Sequence, residues 1–359
     1  MSLLHALLTP RRHAGYKPAL ARFAALGGAW VFVLVLLGAF TTSIGAGMIF
    51  PDWPLSNGSL NPDGWLSDAA KFAEHSHRLS AGAMSLIAIA LAGWIWKTEA
   101  RAWLRRLAFF AVVLVLVQAV VGGLRVLLEP HEVATISTSV GQLFAMLHAC
   151  LAQIFVCTLF AMALSLSRGW TRLGTAAPGP GLRRLGRVCC GLLLLQLAIA
   201  AVMRHSFAGL AIPTFPLSSP EGALLPPAWN FRVGIQFAHR VMAALLAFAL
   251  PWFAVALWRE RTPGPGLKNG ALLLVGLVGL QIFLGAESVW TLRSPTWTTA
   301  HVLTGACLLA TTFALTWWTH REQIESGASR GVCAGNDAGR LGNEITVANH
   351  GALGTTRPT

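Results

Sequence analysis

The chain has 359 residues, 55% of them hydrophobic and only 11% charged, with a mean hydropathy of +0.60. That balance excludes a water-soluble enzyme and marks an integral membrane protein. The formal net charge of +13 does not indicate nucleic acid, because the cations flank apolar runs instead of gathering on one face or interleaving with aromatics.

In chain order, apolar runs long enough to cross about 30 Å of hydrocarbon as a helix fall near 26–47, 75–96, 104–127 and 140–166, then 186–203, 234–258, 269–290 and 298–319. Pro, Gly and charge separate them. Arg11, Arg12, Lys17 and Arg22 precede the first run; Lys97, Arg101, Arg105 and Arg106 follow the second. Arg168, Arg172, Arg183, Arg184 and Arg187 follow the fourth, and Arg259, Arg261 and Lys268 follow the sixth. Loops that keep Lys and Arg are cytoplasmic. Both termini are therefore expected in the cytoplasm, with the loops near 48–74, 128–139, 204–233 and 287–297 outside. Most tryptophans, among them Trp94, Trp96, Trp258, Trp290, Trp317 and Trp318, lie near span ends, as interfacial aromatics do. The six cysteines avoid the outer loops and form no C-x-x-C or C-x-x-C-H pattern, so they read as small packing residues. Residues 321–359, rich in Gly, Ser, Asn and Thr, read as a flexible cytoplasmic tail, and 1–25 as a cytoplasmic leader into the first span.

The chain repeats itself. AGMIFPDWPL, Ala46 to Leu55, aligns with AGLAIPTFPL, Ala208 to Leu217, and the same offset carries His77-Arg78 onto His239-Arg240. Gln118 then falls opposite Gln281 and His148 opposite His301, with small slips taken up by loops. A cleaved signal in place of the first span is disfavoured, since that span has a counterpart deep in the chain. The expected fold is an all-α integral membrane protein. Its eight transmembrane helices form two homologous four-helix bundles, 26–167 and 186–320, joined by a cytoplasmic linker at 168–185 and related by a pseudo-twofold axis along the membrane normal.

Four histidines occupy equivalent places, His77 and His148 in one half and His239 and His301 in the other. Two imidazoles from the second and fourth helices of a bundle suit a planar macrocycle held between them, and haem iron accepts such a pair. Zinc would lack a third ligand in either half. Arg78 and Arg240 each follow a ligand, placed either to contact haem propionates or to snorkel to lipid headgroups. Glu74 lies three residues before His77 and so shares its helix face, whereas Gln236 stands at the matching place in the second half. That asymmetry suggests chemistry in the N-terminal half and a resident cofactor in the C-terminal half. His75, about 200° around the helix from His77, reads as interfacial or outward-facing.

Together these residues resemble the haem A synthase family of the CtaA and Cox15 type. The resemblance rests on eight spans in two halves, E-x-x-H-R at Glu74 to Arg78, Pro-Asp-Trp-Pro at Pro51 to Pro54, and histidines 148, 239 and 301. It implies oxidation of the C8 methyl group of haem O, by two hydroxylations and loss of water, to the formyl group of haem A for terminal oxidases. It further implies haem b held by His239 and His301, substrate haem O held by His77 and His148, and Glu74 as the catalytic acid. Glu74 would either position water or stabilise positive charge on the oxidised methyl carbon. The implied setting is the bacterial inner membrane, with membrane lipid, haem O synthase and cytochrome oxidase assembly factors as partners, and a homo-oligomer left open. Lacking cysteines in outer loops one and three, the chain resembles the cysteine-free subgroup. A di-haem electron-transfer cytochrome and a haem transporter or chaperone are the alternatives. The electron wire does not explain Glu74 against Gln236, since a symmetric pair of haems needs no single acid.

Overall fold

A computed structural model describes residues 15–133, 138–171, 178–260 and 265–326. The tail beyond 326, Cys333 and the N-terminal residues 1–14 lie outside the described residues. The elements are α1 (Pro18–Ser43), α2 (Ala69–Thr98), α3 (Ala102–Leu127), β1 (Glu132–Val133), β2 (Thr138–Ser139), α4 (Val140–Leu166), the single turn α5 (Arg168–Thr171), α6 (Pro180–His205), α7 (Phe231–Arg259), α8 (Pro265–Trp290) and α9 (Pro295–Thr319). Eight helices, all but α5, are long and apolar enough to cross a membrane. The protein is an all-α, multi-pass membrane protein, its only described strands being the two-residue antiparallel pair β1 and β2.

Helix ends follow local chemistry more closely than hydropathy. α2 begins six residues before its apolar run because the Asp68 carboxylate caps the backbone N–H groups of Ala70 and Lys71, both at 2.9 Å. Glu74 and His77 therefore sit inside a formed helix, one to two turns past its start. Ser139 and Gln142 form a reciprocal capping box at the head of α4. α1, α6 and α9 each open with proline, whose missing N–H is no loss in the first turn.

Packing divides the helices by halves of the chain. α1 packs on α2, α2 on α3, α3 on α4 and α4 back on α1; α6, α7, α8 and α9 close the same ring. Each ring has its own apolar core, one containing Val31, Met84, Leu114 and Phe155, the other Leu193, Leu250, Phe253 and Leu274. The rings meet where α9 touches α1 and α4, and where α4 touches α6. In both rings the histidine-bearing helices, α2 with α4 and α7 with α9, stand diagonally opposite. The loops over one end of the rings, 44–68, 128–133, 206–230 and 291–294, define the loop face; the opposite end is the terminal face.

At the terminal face, fully buried Glu99 accepts from Lys17 Nζ at 3.1 Å and from Arg101 Nε at 3.1 Å. Arg101 also reaches Glu325 at 3.2 Å, and Glu325 accepts from Trp170 Nε1 at 2.7 Å. Burial alone would raise the Glu99 carboxyl, but the hydrogen bonds and charge of Arg101, with Lys17, hold it below the usual carboxylate range.

Candidate functional site: two facing histidine pairs under folded loops

In the second ring the imidazoles of His239 and His301 face each other with centroids 6.4 Å apart and planes at 62°. A metal bound to one nitrogen of each at about 2 Å would set ring centres roughly 6 Å apart, so this spacing accommodates a single iron. His77 and His148 stand at the matching positions of the first ring. The Nδ1 atom of each of the four histidines is buried without a hydrogen-bond partner among the described residues. A buried polar nitrogen left unmatched costs about 1–3 kcal/mol, and matched pairs of such rings suit coordination.

The remaining helices of each ring shape the walls. A Cβ on Gly38 of α1 would lie 2.8 Å from His77 Cε1, and one on Gly122 of α3 3.1 Å from His148 Cε1. Gly285 of α8 stands equally close, 3.1 Å, to His301 Cε1. Glycine here lets an imidazole lie flat against a helix backbone. Glutamines support the histidines: Gln118 Nε2 donates to His148 O at 3.1 Å, Gln196 Nε2 to His239 O at 3.1 Å, and Gln281 Nε2 lies 3.3 Å from His301 Nε2. The repeat had drawn attention to Gln118 and Gln281; Gln196 has no twin, since Leu34 stands at its place in α1.

Above each histidine pair a loop is tied down by the residues around the first ligand. Glu74, 4% exposed, accepts at Oε2 from the N–H groups of Ile49 (2.7 Å) and Phe50 (3.2 Å), and at Oε1 from Arg78. Arg78 donates to the carbonyls of Phe50, Asp52 and Leu55. In the second ring Gln236, 3% exposed, accepts from Ile212 N at 2.5 Å and donates to Gly209 O at 2.9 Å. Arg240 there donates to the carbonyls of Ile212, Thr214 and Leu217. Glu74 and Gln236 thus do the same mechanical task with different chemistry.

His75, expected to be interfacial or outward-facing, does not face outward but lies between α2 and a covering loop. It is 3% exposed, its Nδ1 lies 3.0 Å from Ser56 Oγ and its Nε2 3.2 Å from Leu60 O, and its ring meets the edge of Trp65 at 4.8 Å. Loop 44–68 folds back over this side of α2 and converts what helix geometry alone presents as an outer face into a covered one. Asp52 organises the same loop: its carboxylate accepts from Asn57 N (2.8 Å) and Gly58 N (2.7 Å), residues that both take positive φ. Slight burial opposes ionisation of Asp52, but these N–H groups and Arg78 hold its carboxyl below the usual range. Trp53 then lies across α3, where a Cβ on Gly123 would come within 2.5 Å of its ring.

Comparison with known proteins agrees with this architecture. The family COX15-CtaA, described as cytochrome oxidase assembly protein, matches residues 21–313. A protein of Bacillus pumilus named heme A synthase is 28% identical over 293 residues, covering 78% of this chain and 88% of its own length. Proteins of the same name from Methylobacterium sp. (29% identical; 83% and 92% covered) and Bacillus licheniformis (27%; 83% and 95%) are similarly related. With eight membrane-spanning helices, paired histidines in both halves and a family match across both rings, the chain belongs to the COX15-CtaA family of cytochrome oxidase assembly proteins.

Proposed function

We propose that this protein is a haem A synthase, an oxidoreductase that converts the C8 methyl group of haem O to the formyl group of haem A. The observation that carries the reading is the two buried histidine pairs, one of them seen face to face, that differ beside the first ligand, Glu74 in one and Gln236 in the other. The relatives named heme A synthase, aligned over most of their length, support it.

In this reading His77 and His148 hold substrate haem O within 26–167, and His239 and His301 hold resident haem b within 186–320. The resident haem supplies one-electron redox capacity when bound. The chain's own residues do the rest. Loop 44–68, fastened by Glu74, His75 and Arg78 and lying on Gly123 through Trp53, covers the N-terminal site and limits entry of water. Glu74 shares the helix face of His77 and accepts from Arg78 and from the Ile49 and Phe50 N–H groups, so it serves as a fixed hydrogen-bond acceptor beside the site. That favours stabilisation of positive charge developing on the methyl carbon.

The distribution of Lys and Arg supports both termini being cytoplasmic, and the bacterial relatives support a bacterial inner-membrane location. Haem O synthase would then deliver substrate, and cytochrome oxidase assembly factors would receive product. The decisive experiment is extraction of haems from membranes of a host that makes haem O, with and without this chain. New haem A is expected. Only haem b and haem O, with oxygen and a partner oxidase present, would overturn the reading in favour of an electron carrier.

A further inference from the structure

Arg78 and Arg240 commit their guanidinium groups to loop carbonyls, so a porphyrin carboxylate could engage either only by unfastening a loop. Two other arginines at the loop face are less committed: Arg125 gives a single guanidinium nitrogen to a loop carbonyl, and Arg293 gives none among the described residues.

Arg125 lies in the last turn of α3, three residues past Gly122, against which the His148 ring rests. Its guanidinium is therefore on the ligand-facing side, about one turn nearer the loop face. Nη1 donates to Gly47 O at 3.0 Å, whereas Nε is buried with no partner. No carboxylate forms an ion pair with it among the described residues; the nearby Glu129 accepts instead from Ser139 Oγ at 3.0 Å. A Cβ on Gly47 would lie 2.6 Å from Arg125 Nη1, so the glycine is what admits the guanidinium.

In the second ring a different arginine, not the repeat counterpart of Arg125, lies against the equivalent glycine. Gly209 is the counterpart of Gly47, and a Cβ there would lie 3.6 Å from Arg293 Cδ and 3.8 Å from its Nε. Leu292 and Arg293 both take positive φ, 52° and 67°, a conformation seldom adopted by such residues. The Arg293 side chain makes no hydrogen bond or ion pair among the described residues. A partly buried guanidinium without an anion is unfavourable, and its planar fork matches a carboxylate.

We propose that Arg125 and Arg293 are the carboxylate-binding residues of the two porphyrin sites, Arg125 taking a propionate in the N-terminal half and Arg293 one in the C-terminal half. The assignment rests on the haem reading of the histidine pairs. Arg78 and Arg240 hold loops instead.

The test uses the purified full chain loaded with haem b or with haem b dimethyl ester, and follows haem loss to an excess of apomyoglobin. His77→Ala and His301→Ala identify which phase belongs to which site. The unmodified chain should lose the ester about tenfold faster than the free acid, the worth of one charge-assisted contact. Arg125→Gln should accelerate loss of the free acid from the N-terminal site by a similar factor and leave the ester unchanged, with partial recovery in Arg125→Lys. Arg293→Gln should do so at the other site. Equal acceleration of acid and ester, or no acceleration, overturns the assignment while leaving the haem reading intact. An unmodified chain that binds no haem overturns both.

Discussion

Glu74 and Gln236 hold equivalent loops through equivalent bonds: Glu74 Oε2 accepts from Ile49 N at 2.7 Å and Gln236 Oε1 from Ile212 N at 2.5 Å. An amide suffices to fasten such a loop, so the carboxylate in the N-terminal half answers a further need. Glu74→Gln should keep the loop anchor and the low-spin haem absorption of the purified protein, yet abolish conversion of haem O. Loss of the haem spectrum in that variant would make Glu74 structural.

The reverse exchange should behave differently. In Gln236→Glu the two N–H donations to Gly209 O and Ile212 O disappear and a carboxylate faces those carbonyls. Destabilisation of about 1–3 kcal/mol is expected, seen as faster protease cleavage within 206–230. Unchanged cleavage would show that Arg240 alone holds the loop.

The histidine pairs should separate by function. His301→Ala should strip resident haem from the purified protein more completely than His148→Ala does, measured by pyridine haemochrome. The opposite order would exchange the roles of the halves.

Glycine contacts permit a gentler probe of the same sites. Gly38→Ala places a methyl group 2.8 Å from His77 Cε1, and Gly285→Ala one 3.1 Å from His301 Cε1. Either ring must shift by tenths of an ångström or more, so each variant should convert part of its own site's haem from low to high spin. A normal spectrum in Gly38→Ala would mean that α1 moves aside.

At the terminal face, pH reports on Glu99. Its carboxyl is held below the usual range, so its ion pairs with Lys17 and Arg101 contribute stability above the unfolded-state carboxylate pKa and lose it as pH falls through the depressed folded value. Glu99→Gln should therefore destabilise the solubilised protein at neutral pH, by about 3 kcal/mol if the cations are left unpaired. It should also flatten the loss of thermal stability below roughly pH 4. Parallel acid profiles for the two proteins would remove Glu99 from the account.

Membrane spans and the repeat were legible because their physics is local or periodic. Twenty consecutive apolar residues read as a helix in lipid, since a single segment satisfies its own backbone there only as a helix, and duplication preserves spacing. The equivalence of His77 with His239 and of His148 with His301 is read from the same register. Helix starts were missed by several residues where a cap such as Asp68, invisible to hydropathy, extends the helix into polar sequence.

The sequence by itself determined an all-α membrane protein of eight spans, its internal duplication and the four candidate ligands, because burial in lipid and repeated spacing act along the chain. Tertiary structure decided the duties of the polar residues around those ligands. Helix geometry places His75 on an outer face, but only the return of loop 44–68 reveals Ser56 and Leu60 as its partners. Arg78 and Arg125 are both cations near the loop-face end of a helix. One is saturated by loop carbonyls and the other keeps a buried Nε without a partner, a difference set by where Phe50, Asp52, Leu55 and Gly47 fold in space.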